Sequence, residues 1–127
     1  MDSTLYSYTD GKCIGAPIYF FFALNSTRLT DASQALNLDE LARVAKKFNL
    51  SVRVTGAADS MTGTADINQS LSVSRAGFIV SELERRGIPV QRIVQIYRGG
   101  ISDHTPAEAN RYTKAELYIS EVTETSE

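Results

Sequence analysis

Asp59 and Arg75 are the side chains whose types and spacing point most directly to binding chemistry. Asp59 follows the apolar run Leu50-Ser-Val-Arg-Val-Thr-Gly56, and Arg75 lies inside the next long apolar-periodic segment. An acid and a guanidinium at one pocket can hold a ligand that carries both an ammonium and a carboxylate, because the guanidinium fork grips a carboxylate through two parallel donors. On a helical wheel of about 100° per residue, Arg75 falls in an arc with Ile67, Leu71, Ala76, Phe78, Ile79 and Leu83. A guanidinium there stays charged and needs partners. Asp59 is one candidate, and the two can equally form a structural ion pair or a loop tether. Glu82 lies in the same arc and is a candidate partner for Arg75 or Arg86. Asn68, near the start of the segment, can hydrogen-bond the loop backbone.

These groups must be positioned by a small number of elements. Ile18-Tyr-Phe-Phe-Phe-Ala-Leu24 is a continuous apolar run of the kind that forms a strand buried on both faces. A first helix is expected from the capping-box spacing of Asn37 and Glu40, with Leu38, Leu41, Ala45 and Phe48 inward, Lys46 and Lys47 in its last turn, and Asn49 as its stop. Leu50 to Thr55 alternates as a half-buried strand ended by Gly56. A second helix runs from about Ala65 to Arg86, closed by Gly87-Ile88-Pro89. Val90 to Tyr97 reads as a strand ended by Gly99-Gly100. Ile101 to Asn110 reads as loop or a short helical turn. Tyr112 to Ile119 reads as the last strand, with Ala115, Leu117 and Ile119 on one face. The predicted fold is α+β: a β-α-β-α-β-β two-layer sandwich, with two long helices on one face of a mixed four-stranded sheet. Residues 1–17 are expected to form an arm or hairpin, 18–120 the domain, and 121–127 a polar tail.

Composition removes several classes of function. The 127 residues, 43% of them hydrophobic, suit one domain with a real core, and a net charge of −2 without a basic run argues against nucleic acid and anionic lipid as partners. Cys13 is the single cysteine and His104 the single histidine, so no zinc cluster and no cofactor is expected. His104, beside Asp103, Thr105 and Pro106, reads as a surface-loop residue. Ser70, Ser72 and Ser74 have no histidine nearby in sequence, and the Asp59–Asp66 loop lacks the Gly-Lys-Ser/Thr ending of a phosphate loop. A binding module rather than an enzyme is expected. No apolar stretch is long enough to span a bilayer, and no signal peptide is visible, which fits either a cytoplasmic protein or a domain of a longer chain.

Several segments, in order, resemble the OmpA C-terminal-like, peptidoglycan-binding family over about Tyr19 to Ile119. Phe22-Ala-Leu-Asn-Ser-Thr-Arg-Leu29 resembles that family's first strand and its exit. Gly56-Ala-Ala-Asp59 resembles Gly-His-Thr-Asp, Asn68-x-x-Leu71-Ser72-x-x-Arg75-Ala76 matches the family's most specific motif, and Leu83-x-x-x-Gly87-Ile88 matches its helix exit. The resemblance implies non-catalytic binding of Gram-negative-type peptidoglycan through the diaminopimelate of the stem peptide. Asp59 would take the ammonium and Arg75 the carboxylate, while the Ala57-Ala58 backbone and Asn68 would shape the pocket. It implies a periplasmic, outer-membrane-associated location, with any membrane anchor lying outside this chain. Ala57 and Ala58 replace the usual His-Thr and remove two polar side chains. The family's late Asn-Arg-Arg motif corresponds either to Asn110-Arg111, which makes Arg111 a further candidate, or to Thr113-Lys114. The alternative function is an assembly module on the same fold, a homodimer or partner-protein binder, motivated by Tyr19 to Phe22 and the tyrosines of the first eight residues.

Overall fold

The computed structural model describes residues 13–119. They form β1 (Ile18–Phe21), α1 (Gln34–Lys47), β2 (Ser51–Asp59), α2 (Ala65–Arg85), β3 (Ile93–Ile101) and β4 (Tyr112–Tyr118), with 3-10 turns at Val90–Arg92 and Ala107–Asn110. The strands build one four-stranded sheet in the order β1-β4-β2-β3. β2 runs parallel to β3 and antiparallel to β4, and β4 runs antiparallel to β1. The parallel pair needs a crossover, which α2 supplies. The expected α+β sandwich is therefore the observed one. Residues 1–12 of the expected arm, with its tyrosines, and the 121–127 tail lie outside the described residues; of the rest of the arm, Cys13 forms an isolated bridge to Tyr118 and Ile14 N–H donates to Leu117 O at 2.8 Å.

One core lies between the helices and one face of the sheet. Phe20, Phe22, Val52, Val54 and Ala115 meet Leu38, Leu41, Ala42 and Ala45 of α1 and Ala76, Ile79 and Leu83 of α2. The opposite face is more polar: Arg53 and Glu116, paired across β2 and β4, form a 2.9 Å ion pair. Both helices end in the same way. Asn49 (φ 55°) and Gly87 (φ 97°) take left-handed backbone. Leu50 N–H then donates to Ala45 O, and Ile88 N–H to Leu83 O. Each closing residue folds into buried space, so the last carbonyls are satisfied while an apolar side chain anchors the exit.

Local expectations fail in instructive places. α1 starts at Gln34, so Asn37 and Glu40 lie inside it, and Glu40 pairs with Arg43 instead of capping. Phe48 is the helix's exposed C-cap, with Lys47 Nζ 5.5 Å from its ring centroid, and Leu50 takes the inward place. β1 is an edge strand, not one buried on both faces: Phe20 is buried while Phe21 is exposed and stacked on Tyr19. Ile67 and Ile119 are exposed. Glu82 pairs with Arg85 and Arg86 and leaves Arg75 alone.

Glycine positions account for the largest boundary errors. Gly56 does not end β2, which runs on to Asp59 and is buried almost throughout because it is flanked by β3 and β4. Gly99 and Gly100 likewise lie inside β3. At Gly56 the missing side chain is a space requirement: a Cβ there would sit 2.0 Å from Ser72 O and 3.0 Å from Ala76 Cβ. α2 thus rests directly on the β2 backbone. Gly56→Ala is expected to cost about 3 kcal/mol, by forced separation of helix and strand, read as a lowered midpoint in urea unfolding. At Gly77, inside α2, an added Cβ would make only an ordinary van der Waals contact, with Gln95 Nε2 at 3.8 Å. Gly77→Ala should therefore raise stability by about 0.5–1 kcal/mol in the same assay.

Candidate functional site

The seating of α2 on β2 brings the N-terminal half of the helix to the C-terminal end of the central strand, where a pocket of about 270 Å³ opens. Leu24 and Asn25 from the β1 exit, Asp59, Thr62 and Gly63 after β2, Ile67, Asn68, Leu71 and Arg75 of α2, and Arg111 before β4 line it. Thr64 caps α2, its side chain accepting from Ile67 N–H at 3.2 Å. Ser72 ties the helix to β3: its hydroxyl donates to Gln69 O and accepts from Gly99 N–H at 3.1 Å. Ser72 is fully buried, and those two bonds give it a structural task.

Arg75 is buried, at 1% exposure, as the wheel predicts, yet its partners are not carboxylates. Nε donates to Ser26 O (2.9 Å), Nη1 to Ala57 O (3.1 Å) and Nη2 to Ala23 O (3.2 Å). The Phe22 ring lies 5.6 Å from the guanidinium carbon, in cation–π range. A guanidinium has five N–H donors, so one remains on each terminal nitrogen. Burial, followed by repulsion from Arg111, lowers the Arg75 pKa to about 10, with Asp59 acting in the opposite direction. The expected direct Asp59–Arg75 pairing is not formed.

Asp59 is 2% exposed. Its Oδ1 accepts from Met61 N–H at 2.9 Å, and its Oδ2 lies 3.3 Å from Arg111 Nη2. Arg111, read in sequence only through a poorly matching motif, is thus the cation that meets the acid. Asn110 explains its placement. Asn110 Oδ1 accepts from His104 N–H, and Nδ2 donates to His104 O and Ala107 O. That buried side chain shapes the loop, and Arg111 O then accepts from Phe22 N–H at 2.9 Å. His104 is exposed in that loop, as expected. Thr113, by contrast, is buried inside β4, and neither it nor Lys114 lines the pocket.

Asn68 lines the pocket at 4% exposure. Its side chain sits against two glycines, Gly63 and Gly100: a Cβ at Gly100 would be 2.9 Å from Asn68 Nδ2. Ala57 and Ala58 do not line the pocket. Both are fully buried because β2 continues through them, and Ala57 packs with Ile101 and Tyr112. Ala57 acts only through its carbonyl on Arg75. Sequence reasoning missed Leu24, Asn25, Thr62, Gly63 and Leu71 as wall residues. Asn25 at φ 53° turns the chain after β1, and Asn-Ser after an apolar run was the available signal.

Comparison with known proteins gives a consistent family. The model of the OmpA family matches residues 21–116. Outer membrane protein 40 of Porphyromonas gingivalis is 37% identical over 79 residues, covering 62% of this chain and 20% of that protein. The chain thus spans about a fifth of that relative's length. Among solved structures, the OmpA-like domain of FopA1 from Francisella tularensis aligns with a TM-score of 0.70 at 20% identity, covering 82% of this chain and 72% of that one. The peptidoglycan-associated lipoprotein of Burkholderia pseudomallei aligns at 0.64 and 22% identity, covering 79% and 87%. The C-terminal domain of Helicobacter pylori MotB aligns at 0.69 and 16%, covering 84% and 88%. The family model spans most of the described residues, and the OmpA-like domain of FopA1 shares the fold, so the chain belongs to the OmpA family.

Proposed function

We propose that this domain binds peptidoglycan without catalysis, by holding the zwitterionic head of a diaminopimelate residue in the pocket at the end of β2. The observation that carries this is Asp59, an acid buried to 2% exposure and lining the same pocket as Arg75 and Arg111. The ligand's ammonium meets the Asp59 carboxylate. Its carboxylate takes the N–H donors that Arg75 does not spend on backbone carbonyls, a charge-assisted contact with little competing water. Asn68 and the Gly63 loop complete the wall. The names of the aligned relatives, a peptidoglycan-associated lipoprotein and an outer membrane protein, support the ligand class and a periplasmic, outer-membrane-associated site of action. The binding domain in this proposal is residues 18–120.

The half-buried Tyr19 and the exposed Phe21 stacked on it motivate an assembly module as a second function, with a homodimer or partner protein on that edge. The edge is partly closed, however: Phe21 N–H donates to Gln34 Oε1 at 2.7 Å. A strictly monomeric domain in solution counts against it.

Co-sedimentation with purified sacculi tests the main function. The wild type should pellet with diaminopimelate-type sacculi. It should stay in the supernatant with walls that carry lysine at that position, because lysine keeps the ammonium and lacks the carboxylate. Asp59→Asn keeps an acceptor for Met61 N–H and removes the charge, so it should lose pelleting at a stability cost of about 1 kcal/mol. Wild-type protein remaining soluble, or Asp59→Asn pelleting equally, refutes the proposal. Arg75→Met strips donors from three carbonyls and should cost about 3 kcal/mol or more in urea unfolding, whatever it does to binding.

A further inference from the structure

We propose that the pocket selects a diaminopimelate residue whose main-chain carboxyl is free, so that the ligand brings one ammonium and two carboxylates, and that Arg111 makes this selection. The inference rests on the diaminopimelate binding proposed above and extends it to the ligand's charge.

The charges lining the pocket do not balance. Asp59 is negative, whereas Arg75 and Arg111 are both positive. A zwitterionic head adds no net charge, so the surplus cation persists after it binds. The two arginines are also differently committed. Arg75 is fixed by three backbone carbonyls and a ring face. Arg111 is held to Asp59 by one long contact, 3.3 Å, and its Nε is enclosed with no acceptor among the described residues. An enclosed donor without an acceptor is unfavourable, and supplying one is rewarded.

The Asp59–Arg111 pair has the form of a place-holder. In the free domain Arg111 neutralises the buried carboxylate. An arriving ammonium takes over that role and leaves the Arg111 guanidinium, which lines the same pocket, without a counter-charge. The head's own carboxylate is engaged by Arg75, which enters from α2, whereas Arg111 enters from the turn before β4. A second carboxylate on the ligand satisfies Arg111. In a stem peptide that ends at diaminopimelate, the main-chain carboxyl is such a group. Amidation removes its charge. Burial is the main cause of the lowered Arg75 pKa; repulsion from Arg111 adds to it, and Asp59 acts in the opposite direction.

Isothermal titration of the whole chain with two synthetic probes tests this. One is the tripeptide L-Ala-γ-D-Glu-meso-diaminopimelate, and the other is the same peptide amidated only at the diaminopimelate main-chain carboxyl. The wild type should bind the acid about tenfold more tightly than the amide, the size of one charge-assisted contact. Arg111→Gln should bring the two within about twofold, and Arg111→Lys should restore part of the preference, each variant first checked for a wild-type-like melt. Equal binding of both probes by the wild type, or a preference that survives in Arg111→Gln, overturns the selection and leaves diaminopimelate binding intact. Failure of both probes to bind the wild type overturns the two together.

Discussion

The buried guanidinium of Arg75 is the constraint around which the rest of this domain is arranged. It joins three pieces of chain that no regular ladder connects: the β1 exit through Ala23 and Ser26, the end of β2 through Ala57, and α2, from which it projects. Backbone carbonyls in such a position must be satisfied, since each unpaired one costs about 1–3 kcal/mol when buried. One side chain satisfies three. Its charge stays uncompensated, because among the described residues its hydrogen-bond partners are carbonyls and no carboxylate.

The helix reaches that position because the sheet gives way to it. Gly56 lets the Ser72 carbonyl and Ala76 come onto β2, and Gly100 leaves room for Asn68. Ser72 then locks the approach by accepting from Gly99 N–H. The residues that look most chemical in this stretch are thus divided in their work. Ser72 holds elements together, Asn68 fills a wall, and Asp59 and Arg111 supply opposite charges that meet only across a single long contact. Asp59 stands at a strand end and Arg75 in the helix packed on it, so the positions of these two charges follow from that packing.

Much of this was visible in sequence where the cause is local. The left-handed closures at Asn49 and Gly87 depend on a few adjacent residues, and the helical arc that buries Arg75 depends on periodicity within one element. Gly56, Gly99 and Gly100 were misread as strand ends because a glycine required by an approaching helix is indistinguishable, in one dimension, from a glycine required by a turn. The resemblance implied that the Ala57-Ala58 backbone shapes the pocket; β2 runs through both residues, and neither lines it. Phe48 does not take its expected inward place, because the left-handed turn at Asn49 redirects the chain there.

By itself, the sequence determined the order of elements, the fold class, and the identity of the two charges at the heart of the pocket, since each is written in short-range patterns of apolar spacing, caps and residue type. Only the tertiary structure decided which charge meets which. Arg75 turns to carbonyls contributed by segments remote in sequence, and Asp59 turns to Arg111, separated from it by α2, β3 and the loop that Asn110 shapes. Pairing of charged groups is a matter of distance in space, set by how the helix packs on the sheet, and no spacing along the chain encodes it.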